Sequence, residues 1–124
     1  REVFCWGTGN VLREFMHVDD LARAIIFALE SWDPDAPDSP TDKDNNPCTL
    51  INVGSGKDIS IKDLANKISK KVGFKGKIIW DKNMPDGTPR KVLNIQKIKN
   101  LGWEPIVSLD NGLNKTIREF KKII

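Results

Sequence analysis

Residues that form disulfides or bind metals are scarce in this chain, which has two cysteines and one histidine. Cys5 and Cys48 do not form a disulfide framework, and no CxxC pair or cysteine–histidine cluster predicts a metal site. We therefore expect two reduced thiols, as in a cytoplasmic protein. His17 could act as a general base, but no local pattern places a serine or cysteine nucleophile beside it, so a structural histidine is favoured.

Long hydrophobic runs are also absent. No apolar run approaches the roughly 18 residues that a membrane-spanning helix needs. The start, REVFCWGTGN, lacks the charged, apolar and small-residue pattern of a signal peptide, and it has no initiator methionine. We therefore expect a cytoplasmic piece of a longer chain, with no membrane partner.

Charge is unevenly distributed, although the net charge is only +3. Residues 32–47 contain five aspartates and one lysine, whereas residues 57–99 contain twelve lysines or arginines and four aspartates. This local excess of positive charge favours an anionic ligand, such as a phosphate, a nucleotide or a nucleic acid. The alternative is that most of these lysines form solvated helix faces.

Apolar residues recur at helical spacing in several segments. Helices are expected at 21–29, capped by Asp19 or Asp20; at 61–72, between Ser60 and Gly73; at 95–101, followed by Gly102; and after Ser108, with a stripe of Leu109, Leu113, Ile117, Phe120 and Ile124.

Short strands are predicted at 14–18, 50–53 and 77–80. Residues 32–48, WDPDAPDSPTDKDNNPC, contain four prolines and almost no apolar side chains, and we expect them to form a long, mobile surface loop, here called the acidic loop. Strands alternating with helices predict an α/β or α+β fold in a single domain, residues 1–124.

The segment MPDGTPRKV, residues 84–92, combines two prolines with an Asp-Gly pair, which disfavours a regular element. Its prolines fix two φ angles and so lower the entropy cost of presenting Arg90 and Lys91 to a ligand. Trp6, beside a Gly-Thr-Gly turn, offers a flat indole face, and Arg13 offers a fork that suits phosphate oxygens. Together these residues predict a site for a phosphorylated, ring-bearing ligand.

Two glycine-rich segments do not match nucleotide-binding motifs. The segment 54–57, GSGK, lacks the first glycine of a P-loop, and Asp58 replaces the serine or threonine that would contact magnesium. The segment 7–9, GTG, lacks the third glycine of a dinucleotide fingerprint and the long helix behind it. Neither segment predicts a cofactor site.

The segments CWGTGNVLREFMHVDDLARA, LINVGSGKDISIKDLA and DKNMPDGTPRKVLN, with LGW shortly after, resemble the carboxy-terminal part of the GDP-L-fucose synthase family. This family belongs to the extended short-chain dehydrogenases/reductases. The resemblance covers about residues 3–120 and leaves out only residues 33–47 of the acidic loop. REF-x-HVDD with NVG-x-G is shared by many extended-family enzymes, whereas WGTG-x-x-REF with PDGTPRK is more specific. The resemblance implies an α/β substrate-binding part whose Rossmann half is absent.

The resemblance implies that the full-length parent is an NADP-dependent oxidoreductase and epimerase that converts GDP-4-keto-6-deoxy-mannose to GDP-L-fucose. In this family, the NADP site and the catalytic residues lie in the amino-terminal half. The chain has no tyrosine, and so no Tyr-x-x-x-Lys motif. The catalytic cysteine and histidine of the family fall on motif positions other than Cys5 and His17. We therefore expect no catalytic residue, no bound cofactor and no reductase activity in this chain alone, and a homodimeric parent.

Four substrate-binding residues follow from the same resemblance. Trp6 and Arg13 match GDP-sugar contacts in WGTG-x-x-REF, and Lys91 matches the basic residue of PDGTPRK. Asp86 is expected either to contact the ligand or to fix the loop. The implied partner is therefore a GDP-sugar.

Other positions near the implied site are more ambiguous. Arg90 and Lys77 are basic neighbours that could simply be solvated. Val11 stands where the family usually has proline, which leaves the approach to Arg13 less rigid. Asn94 replaces a common aspartate, which weakens any pairing with the neighbouring cations.

Three alternatives remain open. The parent could be another extended-family enzyme, such as a GDP-mannose dehydratase or a UDP-sugar epimerase. The chain could instead be a basic module that binds nucleic acid, although its cations lie mainly on helix faces without interleaved aromatic residues, so no nucleic acid is expected. It could also be an inert truncation, because the site needs walls from both halves of the enzyme.

Overall fold

The computed structural model, which describes residues 1–123, contains a two-stranded parallel sheet. Strand β1 (Glu2–Trp6) pairs with β4 (Lys77–Asp81), and Trp6 lies opposite Asp81. The predicted strand at 77–80 is thus confirmed. Strand β1 was not predicted, because four of its five side chains are exposed and its residues do not alternate between polar and apolar.

A second sheet has three short strands. Strand β2 (Leu12–Glu14) lies between β3 (Asp58–Ser60), which is antiparallel to it, and β5 (Arg90–Lys91), which is parallel. The expectation of no regular element in the 84–92 segment is therefore wrong at its end. Both prolines of that segment precede β5, so neither removes a donor from the ladder.

Two predicted strands are incorrect. The strand expected at 14–18 lies earlier, because helix α1 already begins at Val18. Residues 50–53 have no regular structure, although Ile51 and Val53 pack against the core. Alternate apolar residues indicated a strand there, but the side chains reach the core from an irregular backbone.

Four helices follow the predicted positions: α1 (Val18–Ser31), α2 (Ile61–Val72), α3 (Gln96–Asn100) and α4 (Leu109–Phe120). The Ser60 hydroxyl accepts the Asp63 N–H at 2.9 Å, and Gly73 ends α2 at φ 73°. The Ser108 hydroxyl accepts the Asn111 N–H at the start of α4. Ile124, the predicted end of the α4 stripe, lies outside the described residues.

The start of α1 differs from the expected cap. His17 is the N-cap, and its Nδ1 accepts the backbone N–H of Asp19 at 3.2 Å. Neither Asp19 nor Asp20 caps the helix, because both already lie within it. Their negative charges still stabilise its amino-terminal end.

Asp20 has a different role, since it is completely buried. Its carboxylate accepts the backbone N–H groups of Ile106 (3.2 Å) and Val107 (2.8 Å), and it pairs with Arg23 at 2.8 Å. Burial raises the pKa of Asp20, but these three hydrogen bonds outweigh burial and hold the pKa below its ordinary value. Asp20 thereby connects α1 to the segment that leads into α4.

The core is small and lies where α1 meets α3. Its buried side chains are Ala24, Ile95, Ile98 and Trp103. Met16, Phe27, Ile51 and Val53 pack around them. The acidic loop lies outside this core and consists of turns, in which the Asp42 carboxylate accepts the N–H groups of Asn46 and Asp44, lowering the pKa of Asp42.

Candidate functional site

The β2–β5 pair places two of the predicted ligand residues side by side. Arg13 is the register partner of Lys91, and partners in adjacent strands project from the same face of a sheet. Lys91 is exposed and Arg13 is half-buried. Two cations at neighbouring positions on one face form an arrangement suited to an anion such as a diphosphate.

Arg13 is held in place by its surroundings. Its Nη1 donates to the Leu12 carbonyl at 2.7 Å. Its Nη2 lies close to Gly87, because a Cβ added to that glycine would be 3.7 Å away. Gly87 of the 84–92 segment therefore lies next to Arg13 before the chain continues into β5. A guanidinium that is already oriented loses less entropy when it binds an anion.

A groove of about 660 Å³ runs along these residues. Its lining residues are Arg13, Glu14, Arg90, Lys91, Val92 and Leu93. Within the described part of the chain, Trp6 and Asp86 are not among them. The structure thus brings Arg13 and Lys91 together in one groove, and the other two predicted residues do not line it.

Asp86 connects the 84–92 segment to the turn after β1. Its carboxylate accepts the Thr8 N–H at 2.6 Å and the Thr8 hydroxyl at 2.7 Å. These hydrogen bonds from Thr8 lower the pKa of Asp86. Of the two expected roles, fixing the loop is therefore the one that the contacts support.

Trp6 ends β1 immediately before this turn. Its side chain is 68% exposed, and the next residue, Gly7, donates its N–H to the Asp81 carbonyl at 2.9 Å. Gly7 has φ 76°, and a Cβ there would lie 2.2 Å from an Asp86 carboxylate oxygen. Glycine thus permits the close approach that Thr8 and Asp86 require.

Arg90 and Lys91 are adjacent but differ in their contacts. The Arg90 guanidinium forms an ion pair with Asp58 on β3, which raises the pKa of Arg90. This pairing occupies part of its hydrogen-bonding capacity. Lys91 is instead the register partner of Arg13, and its role as a ligand residue stays a prediction.

Glu14 is a site residue that sequence reasoning missed. Its carboxylate accepts the backbone N–H of Gly56 at 2.5 Å and that of Leu93 at 2.8 Å, and the Ser55 hydroxyl at 3.3 Å. It therefore joins β2 to the turn before β3 and to the end of β5. Two features of the sequence could have indicated this role. Glu14 is a carboxylate in a predicted short strand, and the backbone N–H groups of the glycine turn at 54–56 need hydrogen-bond acceptors.

Residues 1–123 contain no cluster of three or more histidine, cysteine, aspartate or glutamate residues that could hold a metal ion. None of their helices is long and apolar enough to span a membrane.

The chain is similar to several known proteins. Residues 1–41 match the model of the NAD dependent epimerase/dehydratase family. The chain is 44% identical over 117 residues to probable GDP-L-fucose synthase 1 of Oryza sativa subsp. japonica. The aligned region covers 94% of this chain and 32% of the relative. The resemblance to GDP-L-fucose synthases is confirmed. The chain spans about one third of the length of such relatives.

Solved structures agree with this relationship. A GDP-6-OMe-4-keto-L-xylo-heptose reductase from Campylobacter jejuni matches with a TM-score of 0.88 and 35% identity, over 100% of this chain and 35% of that one. The GDP-mannoheptose C4 reductase MlghC from the same organism, with NADP bound, matches with a TM-score of 0.79 and 33% identity, over 98% and 35% respectively. The chain thus shares its fold with about one third of these reductases, and the α/β fold class that the sequence predicted is confirmed.

Proposed function

We propose that this chain is the carboxy-terminal, GDP-sugar-binding part of an NADP-dependent GDP-L-fucose synthase. The observation that carries the proposal is the pairing of Arg13 with Lys91 across β2 and β5, within a groove of a chain whose relatives are GDP-L-fucose synthases. In the parent, the substrate is GDP-4-keto-6-deoxy-mannose and the product is GDP-L-fucose.

Each proposed binding residue has a distinct task. Arg13 and Lys91 bind the diphosphate or the hydroxyl groups next to it, and Trp6 packs against the sugar nucleotide. Asp86 holds the loop that lies next to Arg13. Binding the remote GDP positions the keto sugar against the other half of the enzyme, where NADPH supplies the hydride. The parent is proposed to be a cytoplasmic homodimer.

The Arg13→Ala variant of the full-length protein tests the assignment of Arg13. We expect KM for the GDP-sugar to rise about 5- to 150-fold, equivalent to about 1–3 kcal/mol of lost charge-assisted hydrogen bonding. Lys82→Ala, which removes an exposed cation from the turn after β4, is the matched control. Kinetics equal to those of the Lys82→Ala variant would show that Arg13 does not bind substrate.

Lys91→Ala and Arg90→Ala form a second matched pair. Because Arg90 is paired with Asp58 whereas Lys91 lies opposite Arg13, we expect the larger rise in KM for Lys91→Ala. Steady-state kinetics on the two full-length variants measure the difference. A larger effect of Arg90→Ala would reverse the assignment of the two cations.

A related candidate is a GDP-heptose reductase, because the fold matches such an enzyme with a TM-score of 0.88. Identifying the products that the full-length protein forms from GDP-4-keto-6-deoxy-mannose and from GDP-keto-heptoses distinguishes the two. Formation of GDP-L-fucose supports the synthase. Conversion of the heptose substrate alone supports the reductase. Residues 1–124 expressed alone are expected not to oxidise NADPH with either substrate.

A further inference from the structure

Cys48 and Lys97 form a close pair away from the proposed substrate groove. Cys48 is the last residue of the acidic loop, and Lys97 lies on α3. The Lys97 Nζ is 2.7 Å from the Cys48 Sγ and 2.8 Å from the Thr41 carbonyl oxygen. Two nucleophilic groups, a thiol and an amine, are therefore in direct contact between two separate elements.

Both partners are held from several directions. Cys48 is only 8% exposed, and its backbone N–H donates to the Pro40 carbonyl at 2.9 Å. On α3, Ile98 is buried in the core next to Lys97 and anchors the helix. The carbonyl of Thr41 fixes the lysine amine from the loop side. The contact between sulfur and nitrogen is thus maintained by the surrounding fold.

We propose that Cys48 and Lys97 are the site of an oxidative cross-link, in which a peroxide converts the contact into a covalent Sγ–Nζ bond. Sulfenic acids are known to condense with nearby nitrogen nucleophiles, and a held amine at 2.7 Å is well placed for this reaction. The cross-link fastens the acidic loop to α3.

The first step oxidises the sulfur. The Cys48 thiol gives its proton to the Lys97 amine, the resulting thiolate attacks one oxygen of hydrogen peroxide, the O–O bond breaks, and Cys48 becomes a sulfenic acid. The departing hydroxide takes a proton from the Lys97 ammonium and leaves as water. Lys97 is then a neutral amine beside the oxidised sulfur.

The second step forms the cross-link. The nitrogen lone pair of Lys97 attacks the Cys48 sulfur, the S–O bond breaks, and the leaving hydroxide takes a proton from nitrogen to form water. Overall, one thiol, one amine and one hydrogen peroxide give one S–N bond and two waters. A thiol reductant reverses the change by attacking the sulfur and releasing the amine.

Peptide mapping of the peroxide-treated full-length protein tests the proposal. Trypsin does not cleave after a modified lysine, so we expect the tryptic peptide 44–57 joined to the peptide 92–99. The mass of the joined species should be about 2 Da below the sum of the two peptides, because two hydrogens are lost. Dithiothreitol should restore the separate peptides.

Three variants provide the controls. Lys97→Arg keeps a cation but has no primary amine, so it should abolish the joined peptide, and circular dichroism checks that it folds. Lys99→Arg, which changes a nearby lysine paired with Glu104, should leave the cross-link intact. Cys5→Ser removes the other thiol and should also leave it intact.

Two results would overturn the proposal. One is oxidation of Cys48 to the sulfinic acid, about 32 Da heavier, at the same rate in the wild type and in Lys97→Arg. In that case no joined peptide would form in either protein. The other is a joined peptide that persists in Lys97→Arg.

Discussion

At the scale of single residues, two carboxylates, Glu14 and Asp20, connect parts of the chain that are far apart in sequence. Arg13 and Lys91 stand in recognisable motifs, and the register of β2 and β5 places them side by side. Glu14 and Asp20 were not assigned their structural roles. Each accepts backbone N–H groups that are distant in sequence, and no local pattern encodes such partners.

Replacing Asp20 with asparagine should lower the free energy of unfolding by about 1–3 kcal/mol, because a buried amide cannot accept the same set of hydrogen bonds as the carboxylate. Denaturant titration of the full-length protein at neutral pH measures this loss. Asp38→Asn, at an exposed position in the acidic loop, is the control and should change stability little. Equal stability of the two variants would contradict the role given to Asp20.

The same carboxylate predicts a pH dependence. Because the folded-state pKa of Asp20 is below its ordinary value of 3.8, the deprotonated form is favoured by folding. The contribution of Asp20 to the free energy of unfolding should be fully present above that ordinary pKa. It should be lost as the pH falls through the lower folded-state pKa. Unfolding measured from pH 6 down to about pH 2 should therefore show a smaller acid sensitivity in Asp20→Asn than in the wild type.

At the scale of secondary-structure elements, helices were easier to predict than strands. Each helix carries its own apolar period and, for α2 and α4, its own serine cap. Strands of two or three residues are too short to show a period, and each exists only because another strand pairs with it. This is why β3 and β5 were missed and why the strand expected at 14–18 was misplaced.

The turn between β1 and β2 gives a prediction at this scale. Gly7→Ala and Gly73→Ala place alanine at nearly the same φ, 76° and 73°. Each substitution should lower the free energy of unfolding by about 1–2 kcal/mol, because alanine is strained in the left-handed backbone conformation. Gly7→Ala should cost more, because its Cβ meets the Asp86 carboxylate, whereas no atom lies within 4 Å of a Cβ at Gly73.

Comparing the unfolding free energies of these two full-length variants tests the contact between the turn and the 84–92 segment. If Gly7→Ala also raises KM for the GDP-sugar while Gly73→Ala does not, the turn supports the substrate groove. Equal unfolding costs would show that Asp86 moves aside without loss.

At the scale of the whole molecule, much apolar surface is left uncovered. In α1, Ile25 is 53% exposed and Leu29 is 82% exposed, and Phe4 of β1 is 67% exposed. The helix stripe predicted from the sequence therefore exists, but only part of it is buried by this chain. Sequence periodicity identifies a face that needs covering, and it does not say which part of a protein covers it.

Residues 1–124 produced alone should therefore self-associate. We expect a mass by light scattering that rises with protein concentration, together with binding of a hydrophobic dye. Leu29→Lys should reduce both, whereas Leu50→Lys, at an exposed position outside the helices, should reduce them less. A monomer that binds no dye at any concentration would contradict this expectation.

The short ladder between β2 and β5 also limits which insertions and deletions the segment before β5 can tolerate. The loop before β5 fixes which residue faces Arg13, because Leu12 is paired with Arg90 and Arg13 with Lys91. If one residue within 84–89 were deleted and the pairing shifted by one place, Val92 would lie opposite Arg13. Lys91 would then lie on the other face of the sheet. Insertions and deletions should therefore be tolerated in the acidic loop and selected against in this six-residue stretch.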